Sequence, residues 1–303
     1  MKFSIFQESR RGARRYNQDR MGYVFSRDAL LMVVADGMGG HLNGEIAAQI
    51  TVECLGKKFQ REAKSRLADP MRFFYDGINE AHAAILRHTD EQGLLETPRT
   101  TVVAAVVQNG SAVWAHVGDS RLYLLRQGQT VVQTLDHSRI QQLVTQGLVR
   151  EEAVSSHPER NKIYNCIGAH VLPQVEMSQS HRLVQGDVLL LCSDGLWGPL
   201  PPRLLASAFL TDPLAKVVPS LITQAEQRAG KEADNISAVA MSWDEAETND
   251  AAISTHTLPP GEFNSKFGDA DIDPAKADIS DDEIDQAVAE IRRALAKSSK
   301  PQS

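Results

Sequence analysis

LLMVVADG, residues 30–37, is an apolar run that ends in Asp-Gly, and DVLLLCSDG, residues 187–195, repeats the pattern. Each run has the length of a buried strand, and Asp-Gly is a common turn pair. Further strands are predicted through residues 100–132, where Asn109-Gly110 is a strong signal for a two-residue hairpin. Strands that follow one another directly favour antiparallel sheets over a regular alternation of strands and helices.

Helices are predicted in pairs between the groups of strands. Residues 44–63 and 70–90 place apolar side chains at helical spacing, and residues 202–210 and 213–229 also look helical. Together these elements predict an α+β fold. We expect a layered α-β-β-α sandwich, in which two central antiparallel sheets are flanked by helix pairs.

The composition changes after Trp243, which suggests a division of the chain into three parts. Residues 1–244 are predicted to form one domain, and residues 245–279, poor in apolar side chains, a flexible acidic linker. Residues 280–303 are predicted to form an amphipathic helix and a tail. One apolar stripe supports that helix: Ile284, Val288, Ile291 and Leu295. The helix could pack on the domain, fray in solution or dock a partner, and the sequence leaves this open.

The bulk properties exclude some classes of function. The chain has 303 residues and a formal net charge of −7, which argues against non-specific binding to nucleic acid or to an anionic membrane surface. No apolar run approaches the roughly 20 residues of a membrane span, and the first residues lack the apolar core of a signal peptide. We therefore expect a cytoplasmic protein that engages neither nucleic acid nor membrane.

Four aspartates stand at the ends of apolar strands: Asp36, Asp119, Asp194 and Asp234. A carboxylate in such a place needs a hydrogen-bond donor, a cation or a metal, although each could singly be a turn or cap residue. Several carboxylates at neighbouring strand ends would repel one another unless a divalent cation neutralised them. Ligand sets made of oxygen favour Mg²⁺ or Mn²⁺.

Short motifs in a fixed order then resemble the PPM (type-2C) family of metal-dependent serine/threonine protein phosphatases. They run through most of residues 1–243. In order, they are GARRYNQDR (12–20), VVADGMGGH (33–41), TTVVAAVV (100–107), VGDSRLY (117–123), DHS (136–138), LLLCSDGLWG (189–198) and DNISAV (234–239).

The resemblance implies a role for individual residues. Asp36 corresponds to a carboxylate that bridges two metals, with the Gly37 carbonyl as a further ligand, and Asp194 and Asp234 complete the first metal site. Asp19 corresponds to an acid that holds metal-bound water. Two further roles are implied for Asp119, which with Asp194 would hold a third and weaker metal, and for Arg14, which would bind phosphate.

The implied activity is hydrolysis of phosphoserine and phosphothreonine in proteins, by water activated between two Mn²⁺ or Mg²⁺ ions. The implied partners are phosphorylated proteins, substrates of a bacterial Ser/Thr kinase. Two alternatives stay open at this point: a phosphatase-like sensor with little turnover, and a hydrolase of small phosphoesters. One departure from the family pattern is Gln18, where many members carry glutamate, so less negative charge is expected at the second metal.

Overall fold

The structure is a computed structural model that describes residues 1–38, 43–150, 159, 162–243, 253–255, 258, 259 and 261–267. The strands are, in chain order, β1 (Lys2–Arg10), β2 (Arg20–Phe25), β3 (Ala29–Ala35), β4 (Gly37–Met38), β5 (Arg99–Thr100), β6 (Val102–Gln108), β7 (Ser111–Val117), β8 (Arg121–Arg126), β9 (Gln129–Gln133), β10 (Glu176–Met177), β11 (His181–Arg182), β12 (Val188–Cys192), β13 (Ile236–Trp243), β14 (Ile253–Ser254) and β15 (Asn264–Phe267). The helices are α1 (Gly44–Glu62), α2 (Pro70–Gln92), α3 (Arg139–Thr145), α4 (Asp194–Trp197), α5 (Pro202–Ser207) and α6 (Leu214–Ala229).

Two antiparallel sheets form the centre of the fold. The first has the strand order β14-β1-β13-β12-β8-β9. The second has the order β10-β7-β6-β3-β2-β15, and β11 also pairs with β7. The short strands β4 and β5 form a separate ribbon beside them. Neighbours in the chain pair directly at β2–β3, β6–β7 and β8–β9, and the β6–β7 pair is the hairpin predicted at Asn109-Gly110.

Apolar side chains fill three layers, and β3 shows how a strand serves two of them. Leu30, Met32 and Val34 pack in the layer between the two sheets. Their neighbours Leu31 and Val33 face the other way, into the layer under α1 and α2. A strand covered on both faces is apolar at every position, which explains the unbroken run at residues 30–35.

The strand β12 repeats this arrangement in the other sheet. Leu189 and Leu191 enter the layer between the sheets, while Leu190 and Cys192 enter the third layer, under α5 and α6. The predicted α-β-β-α sandwich, with two antiparallel sheets flanked by helices, is therefore confirmed.

Local turn chemistry agrees with the sequence at the element ends. Asn109 and Gly110 both have positive φ, at 54° and 67°, as the predicted two-residue hairpin requires. Helix α2 begins after Asp69, whose side chain accepts from two backbone N–H groups of the first turn.

The segment after Trp243 differs from its prediction. Residues 245–279 were expected to form a linker, but within them β14 joins the edge of the first sheet and β15 joins the edge of the second. The compact unit accordingly runs from Met1 to Gly268 rather than ending at 244. Backbone hydrogen bonds hold the edge strand NSKF in place, so this strand needs no apolar run. Because composition reports only side chains, the polar segment was predicted to be a linker.

Phe267 anchors this last strand. An added Cβ on Gly22, in β2, would lie 2.2 Å from the Phe267 ring, and one on Gly56, in α1, would lie 2.6 Å from it. The two glycines thus make the slot that the ring occupies. The helix predicted at 280–303 lies outside the described residues. Among the helices that the structure describes, none has the length and apolar character that crossing a bilayer demands.

Candidate active site

Five aspartates meet beside the ends of the central strands. Asp36 follows β3, Asp194 follows β12, and Asp234 stands two residues before β13. Asp19 precedes β2, and Asp119 lies in the turn between β7 and β8. Their charges act on one another: the pKa of Asp36 is raised well above its usual range by burial first and then by each of the other four carboxylates. The sandwich topology therefore gathers all five aspartates that the sequence selected.

Burial and mutual repulsion also raise the pKa of Asp19, Asp119 and Asp194. Burial, with further repulsion from Asp194 and Asp234, raises the pKa of Asp19 to about 7, although a hydrogen bond from Ser193 opposes the rise. Burial and the charge of Asp234 raise the pKa of Asp194 to about 6. The pKa of Asp119 is raised well above its usual range, by burial and then by Asp194. Without a bound cation, the five site aspartates place unbalanced negative charge in a buried site.

The Asp19 carboxylate has incomplete hydrogen bonding among the described residues. Its Oδ2 accepts a hydrogen bond from Ser193 Oγ at 2.7 Å, while its buried Oδ1 has no hydrogen-bond partner among the described residues. A buried carboxylate oxygen without a donor is costly, and a bound cation or its water shell removes that cost. The oxygen-only donor set and the orphaned Oδ1 fit a hard divalent cation.

The backbone around Asp36 is fixed by Thr100 and Thr101, the two residues that precede β6. Thr100 Oγ1 and the Thr101 N–H both donate to the Asp36 carbonyl, at 2.8 and 2.9 Å. Thr101 Oγ1 accepts from the Asp36 N–H at 3.1 Å. On the other side, an added Cβ on Gly37 would lie 2.3 Å from the Gly44 carbonyl oxygen. Only glycine allows α1 to begin this close to the Asp36–Gly37 turn.

Arg14 brings a positive charge to the site. Its guanidinium is exposed and donates to Asp234 Oδ2 at 2.6 Å. The Arg14 pKa is raised, first by the hydrogen bond to Asp234. The loop that carries Arg14 is tied down by Asn235, whose Nδ2 donates to the carbonyls of Arg11 and Tyr16 and whose Oδ1 accepts from the Gln18 N–H.

Comparison with known proteins agrees with this geometry. The family model described as protein phosphatase 2C matches residues 7–234. The chain belongs to the protein phosphatase 2C family. It is 35% identical over 185 residues to a putative protein phosphatase 2C-type protein of Streptococcus pyogenes, covering 59% of this chain and 73% of that protein. It is 30% identical over 243 residues to the serine/threonine phosphatase stp of Listeria monocytogenes, covering 79% and 95%.

A solved structure adds the cofactor class. The chain is similar to the catalytic domain of the serine/threonine protein phosphatase PstP in complex with two manganese ions, with a TM-score of 0.67 and 29% identity. The similarity covers 80% of this chain and 98% of that one. The chain is thus a metal-dependent serine/threonine phosphatase of the 2C type found in bacteria, its cofactors are divalent metal ions, and phosphorylated proteins are its class of substrate.

Next to Asp119, the phosphatase contains a balanced ion pair. Arg121 donates to both carboxylate oxygens of Asp136, at 2.7 and 2.8 Å, and its guanidinium carbon lies 3.5 Å from the centre of the Trp197 ring. Trp197 Nε1 in turn donates to the Asp119 carbonyl at 3.0 Å. The arginine of the GDSR motif therefore supports the Asp119 turn through structural contacts.

The described residues contain a second group of candidate metal ligands: His116, His137 and Glu176. His137 Nδ1 accepts hydrogen bonds from the Gly118 N–H and the Asn165 amide, so its proton is on Nε2, which faces Glu176 at 3.2 Å. His116 Nε2 must carry a proton because it bonds to the Leu135 carbonyl. The His137 ring has no lone pair left for a metal, and we interpret this group as structural.

Sequence reasoning missed the residues that hold the aspartates in place. Thr100, Thr101, Ser193 and Asn235 each lie inside a quoted motif, yet the sequence gives them no role. Their contacts join segments far apart in the chain; Ser193 and Asp19, for example, are 174 residues apart. A hydroxyl or amide side chain close to a motif aspartate in the sequence suggests a supporting role. It does not indicate which distant residue that side chain will bond to.

Proposed function

We propose that Asp36 would be shared between two divalent cations, with the Gly37 carbonyl as a further ligand, Asp194 and Asp234 completing the first site, and Asp19 holding metal-bound water. We further propose that Asp119, with Asp194, holds a third and weaker ion. The observation that carries the proposal is the cluster itself: five acids, of which Asp19, Asp36, Asp119 and Asp194 have raised carboxyl pKa values, with a buried Asp19 Oδ1 that has no donor among the described residues. Mn²⁺ and Mg²⁺ both fit this oxygen set.

When bound, these cations supply Lewis-acid chemistry, since they activate water and neutralise charge on the phosphoryl group. The chain's own residues orient the reactants. Thr100 and Thr101 hold the Asp36 backbone through its carbonyl and its N–H, which fixes the point from which the Asp36 side chain extends. Asp19 is held by Ser193 and keeps Oδ1 available for the cation or its water.

Arg14 is the proposed phosphate-binding residue. Its exposed guanidinium can bind two phosphoryl oxygens at once, and its position beside Asp234 places it at the edge of the carboxylate cluster. The proposed substrates are phosphoserine and phosphothreonine proteins modified by a Ser/Thr kinase, and the proposed location is the cytoplasm. Docking of a partner by residues 280–303 stays a prediction.

The test is to measure hydrolysis of a phosphothreonine peptide and of p-nitrophenyl phosphate, each with Mn²⁺ and with EDTA. We expect Mn²⁺-dependent hydrolysis of both substrates, lost in Asp194→Asn. Asp76→Asn is the matched control, because Asp76 lies on α2 and pairs with Arg72 at the surface; its activity should be unchanged.

Other outcomes would point to the alternatives. Turnover of the small ester alone would favour a small-phosphoester hydrolase. Mn²⁺ binding with no turnover of either substrate would favour a sensor. Full activity in Asp194→Asn would contradict the proposed ligand set.

A further inference from the structure

Gln18 places a neutral amide beside the proposed second metal site. An added Cβ on Gly37 would lie 2.6 Å from the Gln18 carbonyl oxygen, so residue 18 packs directly against the Asp36–Gly37 turn. An amide side chain has a donor end and an acceptor end. Only the oxygen end attracts a cation or its water, and the NH₂ end repels the cation.

Glu45 contacts the donor end of this amide. Gln18 Nε2 donates to Glu45 Oε2 at 3.1 Å, and the same nitrogen lies 2.9 Å from the place of an added Cβ on Gly44. Glu45 is half-buried in the first turn of α1, the helix that begins against Gly37. A rotation of the amide by 180° would turn its oxygen toward the Glu45 carboxylate and lose the charge-assisted hydrogen bond.

We propose that Glu45 is a positioning residue, which fixes the Gln18 amide so that its oxygen remains available to the metal site. Position 18 has no carboxylate of its own, but the Glu45 carboxylate on α1 contacts the Gln18 amide directly. This role rests on the proposed function, because it requires cations at Asp36 and Asp19. Groups that orient the immediate partners of a metal typically change its affinity about 10- to 100-fold.

A double-mutant cycle read out by Mn²⁺ binding tests this role. The free Mn²⁺ signal in electron paramagnetic resonance gives the affinity without any measurement of turnover. We expect Glu45→Ala to weaken Mn²⁺ binding about tenfold. In a Gln18→Glu background the same change should have less than about a twofold effect, because a carboxylate has two equivalent oxygens and no wrong orientation.

Two controls separate orientation from general charge or helix stability. Glu53→Ala removes a charge from the same helix at a site where Glu53 pairs with Lys57 and Gln49, and it should leave Mn²⁺ affinity unchanged. Glu45→Gln, which can accept or donate, should fall between Glu45→Ala and the unmutated chain.

The proposal is overturned if Glu45→Ala weakens Mn²⁺ binding equally in both backgrounds, since Glu45 would then act through charge or through α1. It is also overturned if Glu45→Ala has no effect in the Gln18 background. If the unmutated chain bound no Mn²⁺ at all, the proposed metal site would fail, and this role with it.

Discussion

Two groups of buried aspartates have opposite electrostatic characters. Asp136, whose side chain is 3% exposed, forms a bidentate ion pair with Arg121. The fully buried Asp187 forms a bidentate ion pair with Arg126. In the metal-site cluster, Asp19, Asp36, Asp119 and Asp194 have raised carboxyl pKa values, and one Asp19 oxygen has no donor among the described residues. In the two ion pairs, an arginine of the chain neutralises each carboxylate. The aspartate cluster needs a bound cation to neutralise its charge.

The sharpest test of this contrast is Asp36→Asn. We expect the metal-dependent turnover of a phosphopeptide to fall about a thousandfold or more, because several kcal/mol of charge stabilisation are lost with the shared ligand. The metal-free protein should unfold at the same or a higher temperature, since one repelling charge is removed. A calorimetric scan in EDTA beside the rate measurement shows both effects, and a marked loss of metal-free stability would contradict the contrast.

Asp136→Asn should do the reverse. Removing one partner of a buried ion pair costs about 3–5 kcal/mol, because the other charge is left buried and unpaired. Chemical denaturation measures the loss. The matched change Asp187→Asn should cost less, since Arg126 is 36% exposed and can turn to solvent, whereas Arg121 is 10% exposed. Equal losses in the two variants would show that exposure of the arginine does not decide the cost.

The third prediction concerns pH in the metal-free protein. The folded-state pKa values of Asp19 and Asp194, about 7 and about 6, lie above the ordinary value of 3.8, so the folded state binds more protons between those limits. Stability should therefore fall as the pH rises from about 4 to 7, by about 3 kcal/mol through Asp19 and about 2 kcal/mol through Asp194. Denaturation at several pH values measures the slope.

Asp19→Asn and saturating Mn²⁺ are the two controls for that slope. The variant should show a smaller fall, because one titrating group is gone. Mn²⁺ competes with protons for the same oxygens and should remove the fall entirely. A metal-free protein whose stability rose over this pH range would refute the assignment.

The smallest expected effect is that of Arg14→Ala. Loss of charge-assisted hydrogen bonds to phosphate should lower kcat/KM for a phosphopeptide about 10- to 100-fold. Mn²⁺ affinity should be unchanged or tighter, because the arginine competes for Asp234. Arg11→Ala, at an exposed neighbouring position, is the control. Weaker Mn²⁺ binding in Arg14→Ala alone would instead make Arg14 a support for the carboxylates.

The sequence predicts those parts of the fold that depend on local pattern. The unbroken run before Asp36, the hairpin at Asn109-Gly110 and the paired helices all follow from spacing and turn chemistry, and the structure confirms them. Five aspartates and Arg14 come from motifs in a known order. Contacts across long separations, such as Ser193 to Asp19 and Glu45 to Gln18, carry no local signal. The edge strand β15 also has none, because its stability comes from backbone pairing and one ring.

That ring has a practical consequence for where the catalytic unit ends. A chain cut after Trp243 would keep every proposed metal ligand and the whole region matched by the family model. It would also leave the β2 edge unpaired and an empty apolar slot between Gly22 and Gly56 on the flank of α1. Open sheet edges and vacant apolar slots promote self-association. The shortest form of this enzyme that resists self-association should therefore extend through Phe267, beyond Asp234, the last proposed metal ligand.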